Sequence, residues 1–96
     1  MSDNDALVFL RLFGALRDAV GHKEVQLPCA GGSVSEVLLC FAERHGDPVR
    51  SFIFDREGKP RRSMILLLNG DPIGDSQTAR VEEGDVVSLL LPLAGG

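Results

Sequence analysis

Residues 6–13, ALVFLRLF, form a dense apolar run of strand length, buried on at least one face. GALRDAV follows, enough for about two helical turns, with Gly21 as its natural stop. KEVQL (23–27) alternates polar and apolar positions, as a half-exposed strand does. The clearest helix start comes next. Ser33-Val34-Ser35-Glu36 is an S-x-x-E capping box, in which serine and glutamate each satisfy an orphan amide. Val34, Val37, Leu38 and Phe41 then fall on one helical stripe, with Glu36, Glu43 and Arg44 off it. Gly46 and Asp47-Pro48 end that helix. FIF (52–54) and MILLL (64–68) read as strands around a loop, DREGKPRRS. Asn69-Gly70 marks a tight turn, and 71–73 restart an extended segment. A loop with room for a short helical turn fills 74–80, and Glu83-Gly84-Asp85 makes another turn. The last strand, 86–91, is apolar at almost every position, as a central covered strand is.

One amphipathic helix among several strands can cover one face of one sheet, and the layer rule allows few other arrangements. The expected class is α+β, a ubiquitin-like β-grasp with a mixed sheet packed on one main helix. In that topology the two most apolar runs, first and last, lie side by side at the centre. The expected organisation is a disordered N-terminus at 1–5, a β-grasp domain at 6–92 and a flexible tail at 93–96.

Composition narrows the function classes. Ninety-six residues with 44% hydrophobic content make one small domain with one core. A net charge of −4 argues against nucleic-acid binding, which needs a basic stripe. Lys59, Arg61 and Arg62 form the one dense basic cluster; beside Gly58 and Pro60 it reads as a solvated turn rather than a docking patch. No apolar run approaches the roughly 20 residues of a membrane span, and the acidic start MSDNDA is unlike a signal peptide. A cytoplasmic protein is expected. Cys29, placed in a loop, and Cys40, on the helix, then read as free thiols, Cys40 packed as a small hydrophobe. His22 and His45 lack ligand-like spacing, so neither a bound metal nor a bound cofactor is expected. No group of nucleophile, base and orienter suggests independent catalysis.

The chain ends LLLPLAGG. The strand anchors Leu89 to Leu91, Pro92 forbids further donation to the ladder, and beyond it Ala94 carries the one small side chain before Gly95 and Gly96. Four extended residues span roughly 13 Å, a slim probe able to carry a carboxylate into a narrow tunnel. That carboxylate, with a reference pKa of about 3.3–3.7, is ionised and a poor electrophile until a partner activates it. The ending thus suggests a protein that is itself a substrate. The plainer alternative is an interaction domain with an accidental tail.

These segments resemble the MoaD/ThiS sulfur-carrier family, over nearly the whole chain. RLFGALRDAVG (11–21) is similar to the family's L-F-A-x-L-R-x-x-x-G opening, SVSEVLL (33–39) to its helix start, and LLLNGDPI (66–73) to its V-x-V-N-G strand and turn. VEEGDVVSLLLPLAGG (81–96) resembles its ending, with Leu91-Pro92 in place of the usual Pro-Pro and Asp85-Val86-Val87 in place of Asp-Glu-Val. The longer FIFDREGKPRRSMILLLNG looks closer to cysteine-biosynthesis carriers and archaeal modifiers of this fold. The resemblance implies a non-enzymatic carrier, as in the small subunit of molybdopterin synthase. A ubiquitin-activating-type enzyme, using ATP and Mg²⁺, would adenylate Gly96, and the adenylate would become a thiocarboxylate. Gly95 would give access, with Leu91, Pro92, Leu93 and Ala94 contacting partners. The acceptor would be an enzyme such as the molybdopterin synthase large subunit, with thiamine and cysteine biosynthesis as other destinations. The alternative is a ubiquitin-like modifier joined to lysines through Gly96. No nucleic acid or membrane partner is implied.

Overall fold

A computed structural model describes residues 6–29 and 32–91. The expected disordered start, 1–5, and the residues of the tail, 92–96, lie outside the described residues. Strand β1 (Ala6–Leu12) runs into helix α1 (Gly14–Val20), which returns the chain to β2 (Glu24–Cys29). Gly21 ends α1 at φ 89, ψ 5, a left-handed conformation in which a side chain is strained. After β3 (Gly32–Ser33) come the main helix α2 (Val34–His45) and the short α3 (Val49–Ile53). Strands β4 (Ile65–Leu68), β5 (Asp71–Pro72), β6 (Arg80–Val81) and β7 (Val86–Leu90) complete the chain.

Five strands form one mixed sheet in the order β2-β1-β7-β4-β5, and β3 pairs with β6 separately. β1 and β7 are parallel neighbours, with Leu10 opposite Val87 and Leu12 opposite Leu89. The first and last strands therefore meet at the centre, as expected. A mixed sheet in this order, packed on one main helix, is an α+β β-grasp.

Alternation decides which side of the sheet is dry. Val8, Leu10 and Leu12 of β1, Leu27 of β2, and Val87 and Leu89 of β7 are buried against Val34, Val37, Leu38 and Phe41 of α2. The capping box is present: Glu36 N–H donates to Ser33 Oγ at 3.2 Å, and Ser33 N–H donates to Glu36 Oε1 at 2.9 Å. Two more orphan amides of that first turn, Val34 N–H and Ser35 N–H, donate to Ala79 O and Ser76 O.

Two readings change. Residues 52–54 are no strand: Phe52 and Ile53 belong to α3, and Phe54 keeps one isolated bridge to Pro60. Val49 and Ile53, four apart, are both buried, so one helical turn turns both inward where a strand would bury only one face's alternate residues. The aromatic, β-prone look of FIF concealed this. Cys29 is the buried last residue of β2 rather than a loop residue. β2 runs through Pro28 because Leu12 N–H donates to Lys23 O, which leaves position 28 without a ladder bond to β1 and its missing N–H on the free edge. Both cysteines are free thiols.

Candidate functional site: the sheet end that bears the tail

Strand β7 is held on three sides, so whatever follows it starts from a fixed root. β1 and β4 flank it through the registers Leu12–Leu89 and Leu66–Leu89. Its start is pinned by Asn69, which adopts φ 52, accepts from Val86 N–H at its Oδ1 (2.9 Å) and donates its own N–H to Val86 O (2.7 Å). Asn69 Nδ2 also donates to Asp85 Oδ1 at 3.1 Å, while Phe9 N–H donates to Asp85 O and Gly84 N–H to Leu7 O. Asn tolerates the left-handed region, which explains the Asn-Gly pair at this turn.

The far end of β7 is different in kind. Leu91 is half-buried and packs against the core, on the side of Leu89. Leu90 faces the other side of the sheet, opposite Ile65 of β4. One step further along the parallel register from Leu12–Leu89, Phe13 comes level with Leu90. Phe13, Leu90 and Ile65 thus form an apolar row across the sheet at the root of the tail. Phe13 is 40% and Ile65 53% exposed. The next row inward is Arg11, Ser88, Leu67 and Pro72, and the next is Phe9 and Val86. The buried residues of all three described helices join the core on the opposite side, where Leu39 of α2 is also exposed.

Phe13 is also a poor local choice. It occupies the N-cap of α1 with no side-chain cap bond, a position that Ser, Thr, Asp or Asn would serve better. A residue that disagrees with its local role and stays wet is a mark of function. Strand alternation could have revealed Phe13 and Ile65 in the sequence, once the core side was known; the reading by runs missed them. Of the expected site residues, the structure describes Leu91 alone; Pro92, Leu93, Ala94, Gly95 and Gly96 lie outside the described residues.

The electrostatics of this end come from the loop before β4. Asp55 Oδ1 accepts from Glu57 N–H at 2.9 Å and Lys59 N–H at 3.0 Å, which shapes the loop. The Lys59 amide foremost holds the Asp55 carboxyl below its ordinary pKa. Arg61 Nε donates to Ser51 O at 2.8 Å, tying the loop to α3. On the other flank Arg11 meets Glu24 at 3.8 Å, an exposed pair of small energetic weight. Elsewhere, burial above all raises the thiol pKa of Cys40, with Cys29 beside it adding to the effect and Arg44 opposing it. Among the described residues no group of His, Cys, Asp and Glu is placed to hold a metal ion, and no helix is long and apolar enough to cross a membrane.

Residues 10–96 match the model of the ThiS family. No curated protein matches the sequence. The small archaeal modifier protein SAMP1 of Methanosarcina acetivorans is similar in structure, with a TM-score of 0.79 and 27% identity over 96% of this chain and 98% of that one. SAMP1 of Haloferax volcanii superposes with a TM-score of 0.83 at 22% identity, over 95% of this chain and all of that one. A chain of the Amycolatopsis orientalis BexX/CysO complex matches with a TM-score of 0.71 at 24% identity, over 93% of this chain and 99% of that one.

Proposed function

The chain belongs to the ThiS family, ubiquitin-like sulfur carriers and small modifiers, and on that premise we propose that it is a sulfur carrier whose cargo is borne by Gly96. The observation that carries this reading is the exit of the chain from a pinned central strand beside an apolar row in which half-buried Leu90 lies between exposed Phe13 and Ile65. Exposed apolar surface of that kind marks a docking site, and here it lies at the root of the five residues 92–96, which reach at most about 17 Å when extended.

The chemistry is acyl activation. In the active site of a ubiquitin-activating-type enzyme, the Gly96 carboxylate attacks the α-phosphorus of MgATP, giving an acyl-adenylate and pyrophosphate. A sulfide nucleophile then attacks the carbonyl carbon. The C–S bond forms as the C–O bond to AMP breaks, AMP leaves with the electron pair, and the sulfide proton goes to solvent. The product is a thiocarboxylate, a soft nucleophile able to pass sulfur to a biosynthetic enzyme. Molybdopterin synthase is the foremost acceptor, with thiazole and cysteine synthesis as the other destinations. Gly95 and Gly96 carry no Cβ to obstruct a tunnel, and Leu91, Pro92, Leu93 and Ala94 line the approach. This protein supplies the carboxyl group and its presentation, and the partner supplies ATP, Mg²⁺ and catalysis. ATP–pyrophosphate exchange by the activating enzyme of the same organism tests the reading: exchange must depend on this protein and vanish when Gly95 and Gly96 are removed.

The likeness to small archaeal modifier proteins supports a second reading. The same adenylate would then meet a lysine amine and form an isopeptide bond. Heavier conjugates, with no replacement of oxygen by sulfur on the free protein, would favour it.

A further inference from the structure

The chain's two cysteines, which the carrier chemistry does not use, are brought together at the end of the sheet remote from the tail. Cys29 closes β2 opposite Ala6, the first residue of β1, whereas the tail root lies beside Leu12 at the other end of that strand. Strand alternation turns Cys29, with Leu27, toward α2, and it is buried at 7% exposure. Cys40 stands on α2 between the buried Val37 and Phe41, half-buried against the same core. Its Sγ lies 3.8 Å from Pro28 O, the carbonyl of the peptide that leads into Cys29. That carbonyl is on the free edge of β2, where no ladder bond to β1 competes for it. The thiol of Cys40 thus closes over the edge strand and meets Cys29 beside it.

We infer that Cys29 and Cys40 are a thiol–disulfide pair, oxidised within the folded domain by a small disulfide of the glutathione class. Cys40 is the attacking sulfur: it is the more accessible of the two, and the Arg44 guanidinium one helical turn further on favours its thiolate. Having given its proton to solvent, Cys40 attacks one sulfur of the small disulfide. That S–S bond breaks, and one small thiolate leaves with the electron pair. Buried Cys29 then loses its proton and attacks Cys40 Sγ, expelling the second small thiolate. The two leaving thiolates take up two protons. Two protein thiols and one small disulfide become one protein disulfide and two small thiols. Burial, which penalises a thiolate at Cys40, does not penalise the uncharged product. The S–H···O contact given up is a weak one. The new bond closes a loop over the ten residues between the cysteines and clips α2 onto the edge of the sheet.

The test incubates the intact, reduced protein with oxidised glutathione under native conditions, alkylates the thiols that remain, and follows the product by intact mass and peptide mapping. The expected product is a monomer that has lost two hydrogens, takes up no alkyl group, and yields a linked peptide containing Cys29 and Cys40. Its circular dichroism should match that of the reduced protein, and its melting temperature should rise by roughly 10 °C, as closure of a loop of this size without strain requires. Cys29→Ala should stop with one glutathione held on Cys40, and Cys40→Ala should leave buried Cys29 unmodified in the folded protein. The inference is overturned if the parent stops with glutathione on Cys40, links two molecules together, or forms the internal bond only in urea. An internal bond that fails to raise the melting temperature overturns it as well, since the folded backbone would then have to distort to close it. Each of these contrary outcomes is read on the parent protein, whose fold depends on no substitution.

Discussion

Phe13→Ser separates folding from docking at a single position. The aromatic ring at the N-cap of α1 is 40% exposed and offers no cap bond. Full burial of such a side chain is worth about 1.5–3 kcal/mol, so its buried part contributes about 1–2 kcal/mol to the fold. Serine forfeits that, but at φ −135, ψ 154 it has the extended backbone from which a hydroxyl caps a helix. A good cap returns about 1 kcal/mol. The net change in stability should lie within about 1 kcal/mol, a melting shift of no more than roughly 4–8 °C. Docking has no such compensation. The exposed fraction that a partner would cover is worth about 0.6–1.2 kcal/mol, and its loss raises the half-saturating concentration in pyrophosphate exchange about three- to eightfold. Phe13→Ala should lose as much docking and, lacking the cap, be less stable than Phe13→Ser. The reasoning is refuted if Phe13→Ser costs more than about 3 kcal/mol of stability while exchange is untouched. Phe13 would then be a structural residue.

Two further outcomes follow from the fold. Ser33→Ala removes the Oγ that accepts from Glu36 N–H at the start of α2, leaving the backbone bond to Glu36 Oε1, and should cost about 1 kcal/mol in chemical denaturation, with the slope of the transition unchanged. Cys40, its thiol pKa raised chiefly by burial, should be alkylated more slowly than free cysteine near pH 8, its rate rising only at more alkaline pH. Reaction as fast as free cysteine at neutral pH would contradict that assignment.

What could be read in the sequence followed how locally each feature is encoded. Helix α2 declares itself through Ser33, Glu36 and a four-residue stripe, all within its own span. The pairing of β1 with β7 was expected from the β-grasp topology alone; their near-continuous apolar runs agree with a central place but name no partner. Helix α3 was not legible. Its two buried residues, Val49 and Ile53, make too short a period to outweigh the strand-like FIF that overlaps it. The site divided along the same line. The diglycine ending announces itself without any structure, whereas Phe13, Leu90 and Ile65 come from three separate strands or strand ends and become one row only through register.

Intact-mass analysis after incubation with the activating enzyme, MgATP and a sulfide donor tests the central claim most directly. The account predicts a product in which one oxygen has been replaced by one sulfur, localised by fragmentation to Gly96, and none from protein lacking Gly95 and Gly96. An unchanged mass under conditions where the enzyme activates its other substrates, or sulfur found on any other residue, would contradict it.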